Sequence, residues 1–294
     1  MKSNNNSYLI PANGAFDFDA LLTAPEGDVD GKKSLKKQLK KEIESIAELQ
    51  HQLYAEDKHS LLLIFQAMDA AGKDSTIRSV FTGVNPAGFQ VYSFKQPSKE
   101  ELDHDFLWRT HCKMPERGRI GVFNRSYYEE VLVIKVHPEY LAGQRIEIPE
   151  GGEDEFWQDR YDSINQAEKH LTKNGTTIVK FFLNVSKDEQ KNRFLSRIYD
   201  EHKNWKFSNS DLAERALWDN YQQSYHDLLK ATSTEDAPWY AIPADNKPYM
   251  RLQVAKIIRQ TLEGMQPQYP TLSEKALDKL SVAERLLLNE EGTY

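Results

Sequence analysis

Five consecutive apolar residues, Leu61 to Phe65, run straight into Gln66-Ala67-Met68-Asp69-Ala70-Ala71-Gly72-Lys73-Asp74-Ser75-Thr76. A short unbroken apolar run reads as a strand buried on both faces. A Gly-Lys pair between such a strand and a helix approximates G-x-x-x-x-G-K-[ST], the phosphate-cradling loop. Two positions depart from it. Ala67 stands where the first Gly belongs, and Asp74 replaces the hydroxyl residue. Backbone N–H groups can still face phosphate oxygens, backed by the positive end of the helix. The expected phosphate-binding set is therefore Ala70, Ala71, Gly72, Lys73, Asp74, Ser75 and Thr76, with Lys73 as the point charge on a transferring phosphoryl group. A metal at this loop would fall to Ser75 or Thr76, or to carboxylates such as Asp69 and Asp74. The plainer alternative is a Gly that caps a turn before a helix.

The rest of the chain supplies the context. Further strand signals lie at Phe89–Phe94, Ile120–Phe123, Thr177–Leu183 and Trp239–Ile242, separated by helical patterns near 73–82, 98–112, 126–135, 154–174, 187–200, 211–231 and 248–264. Alternating strands and helices predict an α/β fold, a parallel sheet with helices on both faces. Leu35, Leu39, Ile43, Ile46, Leu49 and Leu53 predict one amphipathic helix over 32–56. Residues 1–31, broken by Pro and Gly, read as an arm, 32–265 as one domain, and 266–294 as a tail whose helix serves packing or oligomerisation. No apolar run approaches the ~20 residues of a membrane span. Met1 to Ser7 is polar and lacks a secretory apolar region, and the single Cys112 excludes an internal disulfide, so a reducing cytoplasmic setting is expected. A net charge of −7 argues against a general nucleic-acid binder. A polyanionic partner would have to meet local clusters of Lys and Arg.

Three such clusters stand out. Lys32, Lys33, Lys36, Lys37, Lys40 and Lys41 crowd the start of the first helix, either as a solvated face or as a rim that receives an anion. The third strand ends in Asn124-Arg125-Ser126-Tyr127-Tyr128-Glu129-Glu130. Ligands of doubly wound sheets sit at the carboxyl ends of strands, so Asn124, Arg125 and Lys95 should share a crevice with the loop. Arg125 fits a phosphate. Glu129 and Glu130 either bind Mg²⁺ or merely favour the helix dipole. Arg193 and Arg197 share a helix face after strand four, with Lys203 and Lys206 beyond: a lid at about 190–210, or a solvated helix. Ser98 and Glu101 form a capping box.

Taken in order, Ala67 to Asp74, Asn124 to Glu129, Arg193-Phe194-Leu195-Ser196-Arg197-Ile198 and Pro238 to Lys247 resemble the polyphosphate kinase 2 family over roughly residues 30–265. The resemblance implies a thymidylate-kinase-like P-loop fold of three layers, a five-stranded parallel sheet with helices on both faces and a helical lid. It implies Mg²⁺-dependent phosphoryl transfer between inorganic polyphosphate and adenine or guanine nucleotides, with Mn²⁺ as an alternative ion, in a homodimer or homotetramer. Asp69 and Lys73 align with the loop residues that bind metal and phosphate, Arg125 with the arginine on the acceptor phosphates, and Arg193 and Arg197 with the lid arginines. An Asp often stands where this chain has Asn124. The Asn-Arg-Ser-Tyr-Tyr-Glu form and Ala67 resemble the subgroup that accepts both nucleoside mono- and diphosphates.

These readings combine into one expectation. The acceptor's terminal phosphate oxygen attacks the end phosphorus of polyphosphate, with catalysis by positioning and charge neutralisation. Asp69, Lys73, Arg125, Arg193 and Arg197 are the expected catalytic set. Lys95, Asn124, Arg125 and Glu129 would meet the nucleotide, Lys36, Lys40, Lys203 and Lys206 the polymer, and Asp69, Glu129 and Glu130 the metal. Two rivals stand beside it: an ATP-dependent nucleoside monophosphate kinase of the same fold, and a non-catalytic polyanion or RNA binder.

Overall fold

The computed structural model describes residues 7–290. The strands are β1 (Ser60–Gln66), β2 (Phe89–Ser93), β3 (Ile120–Asn124), β4 (Thr176–Asn184) and β5 (Trp239–Pro243). The helices are α1 (Lys32–Glu56), α2 (Lys73–Val80), α3 (Lys99–Leu102), α4 (Trp108–His111), α5 (Glu129–Val136), α6 (Leu141–Gln144), α7 (Glu153–Lys173), α8 (Lys187–Tyr199), α9 (Asn209–Ala216), α10 (Trp218–Thr232), α11 (Lys247–Met265) and α12 (Glu274–Glu290). All five strands are parallel, in the order β2-β3-β1-β4-β5. Leu61 to Phe65 are fully buried at the centre, as an unbroken apolar run requires. Burying each such side chain contributes about 1.5–3 kcal/mol. Strand β2 is a half-exposed edge. The opposite edge, β5, is covered by the arm: Leu9 bridges Tyr240 antiparallel, Ile10 N–H donates to the Trp239 carbonyl at 2.9 Å, and Phe18 stacks on Phe182.

Helices α1, α2 and α11 pack together over one face of the sheet, and α5, α7 and α10 over the other. Glu42 pairs with Arg259 and, further along both segments, His51 with Tyr269. Helices α1 and α11 therefore run in the same direction. Helix α11 begins where β5 ends, so the lysine-rich first turns of α1 lie at the carboxyl edge of the sheet.

Three helical expectations change. The pattern over 98–112 is two short helices, because the Asp105 carboxylate accepts the Leu107 N–H and starts a new turn. The Ser98–Glu101 capping box is formed. The helix expected from 126 starts only at Glu129, after a left-handed Arg125. The pattern over 211–231 divides at Leu217 into α9 and α10. The tail helix α12 does not serve packing within the chain: Leu280 and Leu287 are 55% and 62% exposed.

Beneath the site lies a buried polar centre. Lys180, in mid-β4, donates to Glu168 (2.6 Å), to the Tyr128 hydroxyl (2.8 Å) and to the Thr232 carbonyl (2.7 Å). Both Tyr127 and Tyr128 donate to Glu168 at 2.8 Å. The two tyrosines thus anchor the segment after β3, and every member of the network has a partner, as burial demands.

Candidate functional site

Every strand delivers its next residues to the carboxyl edge, and three cavities lie there in a row. The first, about 390 Å³, is lined by Asp69, Lys95, Arg125, Glu129, Glu214 and Tyr221, among others. The middle chamber, about 270 Å³, holds Asp69, Lys73, Asp74, Asn124, Arg125 and Arg197. The third is an open cleft of about 860 Å³ with Gly72, Arg197, Lys203, Lys206, Lys247 and Arg251 on its walls. The middle chamber shares Asp69 and Arg125 with the first, and Gly72 and Arg197 with the cleft.

The loop after β1 is wound tightly. Ala70 is left-handed at φ 60°, a conformation costing about 1–2 kcal/mol for an L residue. Gly72 caps α2 at φ 113°, where a side chain would be strained. The Ala71 N–H already donates to Met68 and the Thr76 N–H to Gly72. The first-turn N–H groups of Lys73, Asp74 and Ser75 have no place in the helical ladder and are open to an anion. Thr76 is fully buried with its hydroxyl against the Met250 sulfur, which removes it from the metal alternatives.

Lys73 is buried and donates to the Ala67 carbonyl at 2.6 Å, the position where the loop motif has its first Gly. Burial, with Arg125 nearby, pushes the Lys73 ammonium below its usual range. Arg125 is left-handed at φ 64° and reaches Asp69 at 3.1 Å and Glu129 at 3.8 Å. Glu129, chiefly, pushes the Arg125 guanidinium further up, while burial pushes the Glu129 carboxyl up. An anion and a cation entering together would relieve both desolvated groups.

Asn124 donates to the Asp74 carboxylate at 2.6 Å and to Ser93 at 3.3 Å. A carboxylate at position 124 would face Asp74 with no proton between them, so Asn124 and Asp74 are a matched pair. Lys95 lines both the first cavity and the middle chamber. Its carbonyl is held by Arg109 at 2.7 Å.

Two expected residues are otherwise engaged. Glu130 is buried between Arg160 (3.3 Å) and Arg109 (3.8 Å) and accepts from Gln144 at 2.6 Å. It lines the first cavity, but its charge is already neutralised by this pair of arginines, so it leaves the expected metal set. Arg193 is buried at the root of the lid, every N–H on a protein acceptor, and is no free lid cation. Arg197, one turn on, is held by Asp211 at 3.1 Å and the Lys206 carbonyl at 3.3 Å. Lys203 and Lys206 face the cleft, whereas Lys36 and Lys40 lie exposed on α1 outside its walls.

Sequence reasoning missed Lys247 and Arg251. The signal was available, because Lys247 follows a strand's carboxyl end just as Lys95 does. It also missed the α9–α10 wall of the first cavity, whose residues the split at Leu217 brings inward.

Among the described residues no three His, Cys, Asp or Glu side chains are grouped closely enough to cage a metal ion. Mg²⁺ needs less, since one or two carboxylates plus substrate phosphates suffice. Asp69, partly exposed on the chamber wall, and Glu129 beside it fit that requirement. No helix among the described residues is long and apolar enough to cross a membrane.

Comparison with known proteins agrees with this geometry. The family model for polyphosphate kinase 2 matches residues 30–270. An ADP-polyphosphate phosphotransferase of Rhodopseudomonas palustris is 48% identical over 288 residues, 98% of this chain and 100% of that protein. An AMP/ADP-polyphosphate phosphotransferase of Meiothermus ruber is 48% identical over 233 residues, 78% of this chain and 83% of that protein. The crystal structure of polyphosphate kinase 2 from Arthrobacter aurescens superimposes with a TM-score of 0.83 at 40% identity, covering 94% of this chain and 93% of that one.

Proposed function

Since the chain belongs to the polyphosphate kinase 2 family, whose members here are nucleotide phosphotransferases, we propose that it passes the terminal phosphate of inorganic polyphosphate to both AMP and ADP. The observation that carries this reading is the row of three cavities, with cations at both junctions. The first takes the acceptor nucleotide, the cleft takes the polymer, and transfer occurs between them.

The acceptor's phosphate oxygen is already anionic, so no strong base is required. Positioning and charge neutralisation do the work. Arg125, with Lys95, orients the acceptor phosphate. The N–H groups of Gly72 to Ser75 cradle the transferring group, and Lys73 turns from the Ala67 carbonyl onto it. Arg197 leaves Asp211 to close over the chamber. Asp69, with Glu129 directly or through water, would hold Mg²⁺ (or Mn²⁺), whose chemistry is to neutralise charge between the two phosphates. Lys203, Lys206, Lys247 and Arg251 bind the polymer, and the lysines of α1, Lys36 and Lys40 among them, receive it beyond the cleft. Guanine nucleotides are further acceptors. The exposed leucines of α12 support a homo-oligomer, and we place the protein in the cytoplasm.

A coupled assay with AMP or ADP, long-chain polyphosphate and Mg²⁺, with and without EDTA, tests this. ATP formed from ADP, and ADP and ATP from AMP, both abolished by EDTA, is the expected result. Product from ADP alone removes the AMP half of the proposal. Transfer seen only with ATP as donor replaces it with a nucleotide kinase.

A further inference from the structure

We propose that Arg193 is a positioning residue that acts through the backbone of the phosphate loop, keeping the Gly72 N–H aimed at the transferring phosphate without touching that phosphate itself. The proposal rests on the functional reading above for what fills the chamber.

A guanidinium has five N–H groups in a fixed fork. In Arg193, Nε donates to Glu189 at 2.7 Å. Nη1 donates to the Ala70 carbonyl at 3.0 Å and to the Ala71 carbonyl. Nη2 donates to the Ala244 carbonyl at 2.6 Å and to the Asp245 carbonyl at 3.3 Å. All five contacts are made, and none is left for a phosphate. Four of the five acceptors are main-chain carbonyls from two segments, the phosphate loop and the turn between β5 and α11. The side chain itself comes from α8. One guanidinium thus ties three carboxyl-edge segments together.

The orientation of one peptide follows. A trans peptide is planar, with C=O and N–H pointing opposite ways. With the Ala71 oxygen turned toward Arg193, the Gly72 N–H is turned away from it, on the loop that walls the middle chamber and the cleft. The neighbouring conformations are the kind a peptide flip would exploit: Ala70 is left-handed, and Gly72 at φ 113° tolerates conformations other residues do not. A flip would present a carbonyl oxygen to an anion. Arg193 opposes the flip by holding the oxygen end. Arg197, one turn on in the same helix, makes only one side-chain and one carbonyl contact, both through Nη1, and so keeps N–H groups for a phosphate.

The test uses Arg193→Lys and Arg193→Gln beside Arg197→Lys and Arg197→Gln in the full chain. The readouts are kcat, the salt dependence of KM for polyphosphate, and the ¹⁵N-glycine spectrum of substrate-free protein, with Gly72 assigned by its loss in Gly72→Ala. For Arg193 we expect kcat to fall about 10²-fold in both variants, as for a misplaced donor. Lys should be no better than Gln, the salt slope should not change, and the Gly72 resonance should move before any substrate is added. For Arg197→Gln we expect an unmoved Gly72 resonance and a salt slope lower by about one phosphate contact, with Lys restoring part. Arg193→Lys within about threefold of wild type would mean that charge alone suffices and would overturn the proposal. So would a lowered salt slope in Arg193→Gln, or an unmoved Gly72. Should the Arg193 variants not fold, Glu189→Gln decides: a shifted Gly72 with reduced kcat supports the proposal, and an unmoved one overturns it. If wild type transfers nothing from polyphosphate, the functional reading fails, while the Gly72 resonance still judges Arg193.

Discussion

Replacing Lys247 by arginine should remove an alkaline limb from the pH profile for polyphosphate. Lys247 sits in the open cleft that we propose takes the polymer, where burial and then the repulsion of Arg193 lower its ammonium from 10.5 to about 8; Arg251 and Lys203 add to this and Glu189 opposes it. At pH 7 about nine in ten copies carry the charge, and at pH 9 about one in ten. A shift of that size corresponds to about 3.4 kcal/mol before screening. The side chain is only partly buried, so solvent reduces the usable figure to about 1–2 kcal/mol. Polyanion binding favours the charged form. Above pH 8 binding must take up a proton, and affinity falls as pH rises. KM for polyphosphate should therefore rise about 5–10-fold between pH 7 and 9 in the wild type, the ceiling set by the loss of the charged form, and Lys247→Arg should lose that rise. The assay is initial rates at saturating ADP and fixed ionic strength. Lys73, also held down by burial, titrates in both proteins, so the difference between the two profiles isolates Lys247. Stability gives an independent sign. Between about pH 8 and 10.5 the unfolded chain binds the extra proton, so stability gains with rising pH in that window, and Lys247→Met should raise Tm at pH 7. Superimposable KM profiles for wild type and Lys247→Arg would refute the reasoning.

Asp69→Asn should lower kcat about 10²-fold or more and weaken the apparent Mg²⁺ affinity; an unchanged Mg²⁺ titration would remove Asp69 from the metal site. Glu130→Gln should do the reverse: it leaves Arg160 and Arg109 without a countercharge, costing about 3–5 kcal/mol in denaturant unfolding, while kcat of the folded enzyme stays near wild type. Lys180→Met should cost about 3–5 kcal/mol by stranding Glu168, and Lys180→Met with Glu168→Leu should recover most of it; equal losses in single and double variants would contradict the network.

The strands and the loop were legible because their signal is local. Leu61 to Phe65 can be satisfied only by burial on both sides, and Gly72-Lys73 follows at once. The side-chain environments were not legible. Glu129 and Glu130 are adjacent in sequence and both line the first cavity, yet one pairs with Arg125 and the other with a pair of arginines brought from α4 and α7. Arg193 and Arg197 share a helix face, and one turn of displacement separates a guanidinium fully engaged by the protein from one at the chamber wall. Tyr127 and Tyr128 were visible as a motif, but their partners Glu168 and Lys180 lie 40 or more residues away. Such pairings depend on which elements the sheet order brings together, and no spacing rule encodes that.

The arm across β5 also sets an order of events. Residues 8–10 are made before any strand of the sheet, but their hydrogen-bonding partners, Trp239 and Ala241, belong to the last strand. For most of synthesis the arm has nowhere to dock, and the sheet can assemble only from its centre outward, with β1 waiting for β3 and β4. Arm docking is thus a long-range closure that follows the rest of the sheet. A nascent chain stopped before β5 would expose both the arm and the bare edge of β4, and a protease cutting near residue 10 would report the moment the final strand arrives.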